Sequence, residues 1–329
     1  MNRKAAHTIV TAMCLLGLPA AATAQDARSW LNPRLGHRKA ELTYSFRSHC
    51  DRDVEYQNRG LGMDQYRLDV SAPVHQDERQ EWILSAGYGG WDIDTDAVLP
   101  DTGDGFPTCL HDVRVGASYR TKLDNDWIWG AGAYVGSPSD DPFHSGDEVS
   151  VSARGFVRIP HGERNAFLVF LAFSNVRDFA QYVPLPGGAY HWRPTDRLSI
   201  LAGAPVSSVQ WRPTDKLTIT GRYMLLRNVH ARIGYEVVDD CEIYGLFEWD
   251  NDEFFRYDRP DDDDRLYHYE KRLGGGVKIN LTEDLTLDLS AGWAFDRMWF
   301  EGEDFDERGQ NRLDLDDGLY VGAVVSFRF

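Results

Sequence analysis

After its first two dozen positions the sequence has no uninterrupted apolar run of about twenty residues, so no helix in the remainder is built to span a bilayer. The 3.6-residue apolar period of an amphipathic helix is also missing. Cysteine is sparse, 4 in 329 residues. Cys50, Cys109 and Cys241 stand far apart without CxxC spacing, which excludes a His/Cys zinc site of the usual kind. Excess positive charge is absent as well. Lys and Arg number 35 against 52 Asp and Glu, for a formal net charge of -17. Such a surface repels nucleic acid and excludes DNA or RNA as a partner. No Pro/Ser-rich linker or shift of composition divides the chain, so it reads as one unit rather than the two or three soluble domains its length would otherwise suggest.

The opening residues carry an address. Arg3 and Lys4 precede an apolar run over residues 9–18, followed by Ala22-Thr23-Ala24 and then Gln25. This is the pattern of a secretory signal peptide cut after Ala24. Cleavage removes two bases and no acid, taking the net charge to -19. Cys14 follows Thr11-Ala12-Met13 inside the apolar run, which is not the setting of a lipid anchor. The expected organisation is a signal peptide at 1–24, a periplasmic segment at 25–38 and a β-barrel at 39–329, reaching the cell outer membrane by Sec-dependent export.

The body of the chain repeats a period-two alternation. Leu42, Tyr44 and Phe46 alternate with Thr43, Ser45 and Arg47, and Val113, Val115, Ala117 and Tyr119 with Arg114, Gly116, Ser118 and Arg120. Ile233, Tyr235 and Val237 alternate with Arg232, Gly234 and Glu236, and Leu285, Leu287 and Leu289 with Thr286, Asp288 and Ser290. One such strand would suit a soluble half-buried sheet. Persistence through the whole chain, in stretches of about nine to eleven residues, points to an all-β transmembrane antiparallel up-and-down barrel. The last stretch puts Leu319, Val321, Ala323, Val325, Phe327 and Phe329 on one face and Tyr320, Gly322, Val324, Ser326 and Arg328 on the other. It resembles the closing strand of a bacterial outer-membrane barrel, whose terminal aromatic is read by the barrel-assembly machinery. That resemblance implies an assembly signal at Phe327 and Phe329.

Connections fall into two classes. Short polar turns occur at 194–197, 213–216, 238–241 and 282–284; long acidic or Gly-rich loops occur at 90–106, 136–148, 250–265 and 296–318. With Phe329 in the periplasm, counting backwards places the short turns on the periplasmic side and the long loops outside. The count gives about sixteen strands starting near Lys39, with twelve or fourteen as alternatives because the pair around 197–209 is short.

A local repeat, Trp192-Arg193-Pro194-Thr195-Asp196-Arg197-Leu198, returns as Trp211-Arg212-Pro213-Thr214-Asp215-Lys216-Leu217. Proline ends each strand, Thr-Asp starts the turn, and Trp192 and Trp211 fall at one depth, as in an interfacial girdle. With Leu185-Pro186-Gly187-Gly188 and Gly203-Ala204-Pro205, this stretch resembles an uncharacterised bacterial outer-membrane β-barrel family of unknown function over residues 184–329. The resemblance implies a barrel and brings no ligand or catalytic residue.

Candidate chemistry is thin. His144-Ser145 in an outer loop fits the Ser and His of outer-membrane lipid hydrolases, but sequence neighbours on a loop seldom face each other and no acid is evidently placed to orient the imidazole. Asp92, Asp94, Asp96, Asp101 and Asp104 carry no basic partner within their loop, and Asp261, Asp262, Asp263 and Asp264 form an unbroken run. Oxygen-rich loops can hold Ca²⁺ or Mg²⁺, or share such ions with lipopolysaccharide, although the spacing is not that of an EF-hand and a solvated acidic loop is the simpler reading. Cys50 and Cys109, expected in the first and second outer loops, are the pair that a disulfide could join, with Cys241 on the opposite rim.

Period-two alternation assigns Arg222, Arg232, Glu236, Glu242, Glu248, Glu270, Arg272, Lys278 and Asp288 to the lumen. Facing lipid at midplane, Arg or Lys would cost about 2 to 4 kcal/mol each. Such a lumen is either an open pore with opposed charge ladders or a barrel filled by its own ion pairs. The reading that follows is a passive porin-like channel for small hydrophilic solutes, with a closed structural or adhesive barrel and, behind it, a lipid hydrolase as alternatives.

Overall fold

The computed structural model of the chain describes residues 34–177, 182–224 and 228–329. The expected signal peptide lies outside them. In chain order the strands are β1 (Glu41–Val54), β2 (Arg59–Gln76), β3 (Gln80–Thr95), β4 (Cys109–Lys122), β5 (Ile128–Ser139), β6 (Ser150–His161), β7 (Asn165–Ser174), β8 (Leu185–Thr195) and β9 (Leu198–Ala204). They continue as β10 (Val206–Trp211), β11 (Leu217–Met224), β12 (Asn228–Val238), β13 (Cys241–Phe254), β14 (Arg265–Asn280), β15 (Leu285–Gly302), β16 (Leu313–Leu315) and β17 (Gly318–Arg328). One 3₁₀ turn, Phe305–Glu307, precedes β16.

Strands adjacent in the chain pair antiparallel, and β17 returns to β1, from Glu41 opposite Arg328 to His49 opposite Tyr320. Both β16 and β17 lie between β15 and β1, as one stave interrupted at Asp316-Asp317. The barrel therefore has sixteen staves, and the short pair that left the count open is β9 and β10. Closure leaves no unpaired edge, which is what a sheet with an apolar outer face in lipid requires.

Ala40 and Phe329 exchange backbone hydrogen bonds of 3.0 Å at one rim, here called the near end, where the turns at 77–79, 123–127, 196–197, 239–240 and 281–284 also lie. The far end carries the long connections at 96–108, 140–149, 255–264 and 303–312. Leu84, Val115, Val169, Ile233, Leu273, Leu289 and Val321 are exposed on the outer face, an apolar belt far too continuous for a water-facing surface. Toward the near end the belt turns aromatic: Trp82 packs on Tyr119 at 4.6 Å between ring centres, Tyr119 on Trp129 at 5.5 Å and Phe167 on Tyr190 at 4.8 Å. Trp192 and Trp211 point outward in the same zone. A closed β-barrel with such a belt is the architecture of an outer-membrane protein.

Boundaries differ from expectation in two ways, the first being that the expected loops at 90–106, 136–148, 250–265 and 296–318 all begin on strands. Asp92 and Asp94 stand on β3 rather than in a loop, because the ladder continues past the apolar belt, with Asp94 opposite Gly62 and Asp92 opposite Cys109. The second difference is at the near end, where residues 34–38 enter the barrel. Leu35 is 3 % exposed and packs with the interior residues Ile128, Phe156, Leu168 and Leu201. Gly36 makes the entry at φ +80°, where a Cβ would lie 2.7 Å from the Asp77 carbonyl carbon, so only glycine passes. Arg38 and Gln76 then exchange hydrogen bonds of 3.0 and 2.9 Å.

Candidate functional site

Strand parity carries Arg222, Arg232, Glu236, Glu242, Glu248, Glu270, Arg272, Lys278 and Asp288 to the interior face. On β13–β15 most of them are spent on one another. Glu270 accepts from Arg272 at 2.6 Å, Arg297 at 2.9 Å and His49 at 3.0 Å, and all four side chains are buried. Arg272 also reaches Glu248 at 3.0 Å and pairs with Asp250, while His230 sits 3.2 Å from each of those carboxylates. A bulge between Tyr269 and Lys271 turns Glu270 toward Arg297. Nearer the near end Arg232 bridges Glu242 at 2.6 Å and Asp288 at 2.9 Å over the Tyr244 ring. Glu270, Arg272, Arg297 and His49 are desolvated almost completely and survive by pairing with one another, so this layer fills space, whereas Asp250, Arg232, Glu242 and Asp288 stay partly exposed.

Above the network the far-end lumen is apolar. Leu61, Met63, Trp91, Ile93, Leu110, Phe254, Leu266, Trp299, Leu313 and Leu315 form one buried cluster together with Leu99 and Phe106 of the 96–108 connection. Trp91 lies at its centre, edge-on to His268 at 4.8 Å, Phe254 at 5.3 Å and Trp299 at 5.4 Å. Lipid-facing alternation cannot produce such a cluster; these are interior positions filled with core residues, as in a plugged barrel.

The end of β13 also meets the end of β5, eight staves away around the barrel and hence on the opposite wall. Ser139 and Phe255 form a parallel bridge. Beyond it the 255–264 connection stays pinned to the 140–149 connection: the Tyr257 amide donates to Asp140 at 2.8 Å and Arg259 pairs with Glu148 at 3.0 Å, both partners of the latter buried. Burial pushes the Glu148 carboxyl up, and the Ser145 hydrogen bonds and Arg259 more than offset this, leaving it below the usual glutamate range. The far mouth is thus tied across its diameter, with one lobe packed solid by the apolar cluster.

Beneath the tie lies a cavity of about 660 Å³. Arg47, Arg67, Arg114 and Arg154 line one side, where Arg67 pairs with Asp69 at 3.0 Å and Asp112 at 2.9 Å and Arg114 with Asp69 at 2.5 Å; Asp250 and Asp252 of β13 line the other. Arg222 lines the same cavity. A second cavity, of about 680 Å³, occupies the near-end lumen under β8–β14.

Asp104 reaches Arg256 at 3.4 Å, and Asp101 accepts the Asn311 amide at 2.7 Å, so these acids find partners from other loops. Asp96 lies in the same connection. Asp261 to Asp264 form a tight turn in which the Asp263 amide donates to the Asp261 carboxylate at 3.0 Å and the Asp262 carbonyl accepts from Arg259 at 3.1 Å. Glu303 lies close enough that Glu307, then Asp261, Asp263 and Asp264, raise its pKa. Among the described residues no group of three or more His, Cys, Asp or Glu side chains is arranged to hold a metal. Cys50 and Cys109 are free thiols on β1 and β4 rather than in loops. Two strands intervene, roughly 14 Å of sheet, which is twice the reach of a disulfide. His144 hydrogen-bonds Asp141 at 2.8 Å and the Ser145 hydroxyl donates to Asp147 at 3.3 Å, so serine and histidine are not brought together.

Sequence reading missed Leu35, the apolar far-end cluster and the tie. The cluster did leave a signal: Leu61 and Met63, Trp91 and Ile93 are bulky apolar residues at interior parity.

No family model matches the chain, so the resemblance over 184–329 extends to no family assignment, and no curated protein matches it. Solved structures with some likeness include an outer membrane channel from Pseudomonas putida F1, 12% identical over 91% of this chain and 98% of that one, with a TM-score of 0.39. A mutant of the Rh. blastica porin is 12% identical over 88% and 99%, TM-score 0.41, and the beta domain of the Bordetella autotransporter BrkA is 11% identical over 88% and 100%, TM-score 0.34. The fold stands on strand pairing.

Proposed function

We propose that the protein is a passive outer-membrane channel for small hydrophilic solutes, with a bore much narrower than sixteen strands would allow. The supporting observation is the central cavity of about 660 Å³, lined by charged side chains of both signs: arginines of β1, β2, β4 and β6 with Asp112 on one side, and Asp250 and Asp252 of β13 with His230 and Arg222 on the other. A dry structural core would not leave such a space lined by charge. Solutes that can align a dipole or shed little hydration fit this field best. The acidic far rim around Asp261 to Asp264 concentrates cations within a Debye length, about 8 Å at physiological salt. Lipopolysaccharide and outer-membrane lipid surround the belt, and assembly machinery common to such barrels inserts it.

A closed structural or adhesive barrel is the second reading, and the tie with its apolar cluster is what favours it. Single-channel recording in planar bilayers decides between the two. Discrete ohmic steps support the channel; a silent bilayer containing folded, heat-modifiable barrel supports the closed form. A lipid hydrolase would need a Ser-His pair, and release of fatty acid from phospholipid vesicles is its assay.

A further inference from the structure

The near-end cavity is one-sided in charge. Arg193, Arg197, Arg212, Arg232 and Lys278 line it, against Asp196 and Glu242. Both acids are engaged already: Asp196 lies 3.5 Å from Arg193 and from Arg164, and Glu242 lies 2.6 Å from Arg232.

Register explains which cations are left over. On the interior face the cross-strand neighbours of Lys278 are Glu242 on β13 and Asp288 on β15, the carboxylates it would ordinarily pair with. Arg232 reaches across from β12 and takes both, because one planar guanidinium can serve two carboxylates at once. Lys278 therefore makes no ion pair among the described residues. Arg212 is stranded by the same logic in the next turn, where Asp215 is held by Arg197 at 2.6 Å. Arg212 and Lys278 also line the adjoining smaller cavity of about 280 Å³ with Lys216. Of the four acids there, Asp215 is held by Arg197 and Glu242 by Arg232, which leaves Glu236 and Asp240, the latter hydrogen-bonded to Asn280 at 3.2 Å, to oppose three cations.

Unpaired cations facing one recess are complementary to an anion with several oxygens, which can accept from both at once. We infer that the near-end vestibule is a binding site for a small polyvalent oxyanion, a phosphate or a dicarboxylate, held by Lys278 and Arg212 with Arg193 and Arg197 at its edge. The site goes beyond the channel reading and does not depend on it, since an anion can bind whether or not the lumen conducts. Its sign is opposite to that of the acidic far rim.

The test is calorimetric titration of the full folded barrel in detergent with inorganic phosphate, holding ionic strength constant with chloride. Saturable binding is expected. Lys278→Gln and Arg212→Gln should each weaken it roughly tenfold, the loss of one charge-assisted hydrogen-bond donor, whereas Lys278→Arg should retain it. Lys122→Gln, on a strand end where the lysine pairs with Asp126 at 2.7 Å, should leave it unchanged. Should Lys278→Gln lose the heat-modifiable folded band, the exposed Arg212→Gln variant carries the test. A parallel titration with succinate assigns the class of anion. Saturable binding of neither anion, or equal affinity in wild type and the folded glutamine variants, overturns the inference.

Discussion

The Phe255 amide donates a 2.8 Å hydrogen bond to the Pro138 carbonyl from the opposite wall of the barrel, and the Asp140 amide returns one of 3.2 Å to the Phe255 carbonyl. Sixteen-stranded barrels ordinarily keep an aqueous channel. Here two backbone hydrogen bonds at the mouth bring walls together that the strand count alone would hold far apart.

Arg259 secures that contact, pairing with buried Glu148, accepting nothing itself but donating also to the Arg256 carbonyl at 2.7 Å. Arg259→Ala leaves Glu148 buried without its partner, a change worth about 3 kcal/mol. The Phe255 amide should then exchange faster with deuterium, and any single-channel current should rise. Unchanged protection at Phe255 would show that the bridge holds without the pair.

The mouth should also respond to pH with a definite sign. Glu148 is held below the usual 4.5 of a glutamate, so its contribution is complete above that value and is lost as pH falls through the lower folded value. Asp140 and Asp264 are raised, chiefly by burial, so their contributions have the opposite sign and fade as pH rises through their folded values. The difference in Phe255 amide protection between wild type and Glu148→Gln, which isolates the Glu148 contribution, should therefore shrink on acidification below about pH 4.5. A difference that grows down to pH 3 would contradict the assignment to Glu148.

Trp299 tests the apolar cluster. Trp299→Ala should cost about 3 to 5 kcal/mol, as other large-to-small core changes do. In urea unfolding from detergent the midpoint should drop at unchanged slope. A variant as stable as wild type would mean the cluster contributes little to folding.

Phe327 and Phe329 stack at 5.4 Å on the outer face, with Phe329 64 % exposed. Removing Phe329 or replacing it with Asp should lower the amount of folded barrel in the outer membrane while leaving signal cleavage unaffected. Normal levels of heat-modifiable protein would end the proposed assembly role.

Asp261→Asn through Asp264→Asn together should reduce cation preference more than conductance, because the turn sets a local potential without narrowing the bore. Reversal potentials across a salt gradient measure this, and the preference should fade as salt rises. Anion selectivity in the wild type would locate the controlling charge in the near-end vestibule instead of at the far rim.

What was legible in the sequence was whatever depends on neighbours along one strand. Leu319 and Val321 alternate with Tyr320 and Gly322, and that alone assigns faces; the two Trp-Arg-Pro-Thr-Asp repeats mark two near-end turns. Contacts across the lumen were not legible, because Ser139 ends β5 and Phe255 follows β13, strands joined only through many others, and the bridge between them is isolated. The same holds for Leu35, whose burial depends on Gly36 turning the chain inward beneath β5–β9. Asp92 and Asp94 looked like loop residues because acids end an apolar run, whereas a β-ladder needs backbone partners and no particular side chain.

The tie at Ser139 and Phe255 separates two properties that a barrel usually links. Circumference is fixed by the number of staves, but aperture here is fixed by a chord, as a tie-rod fixes the spread of an arch. Replacing the residues that make and hold this chord, Phe255 and Arg259, would reset the opening without touching the ladder between the staves. Variation in a single connection could thus retune permeability in this scaffold without any strand being gained or lost.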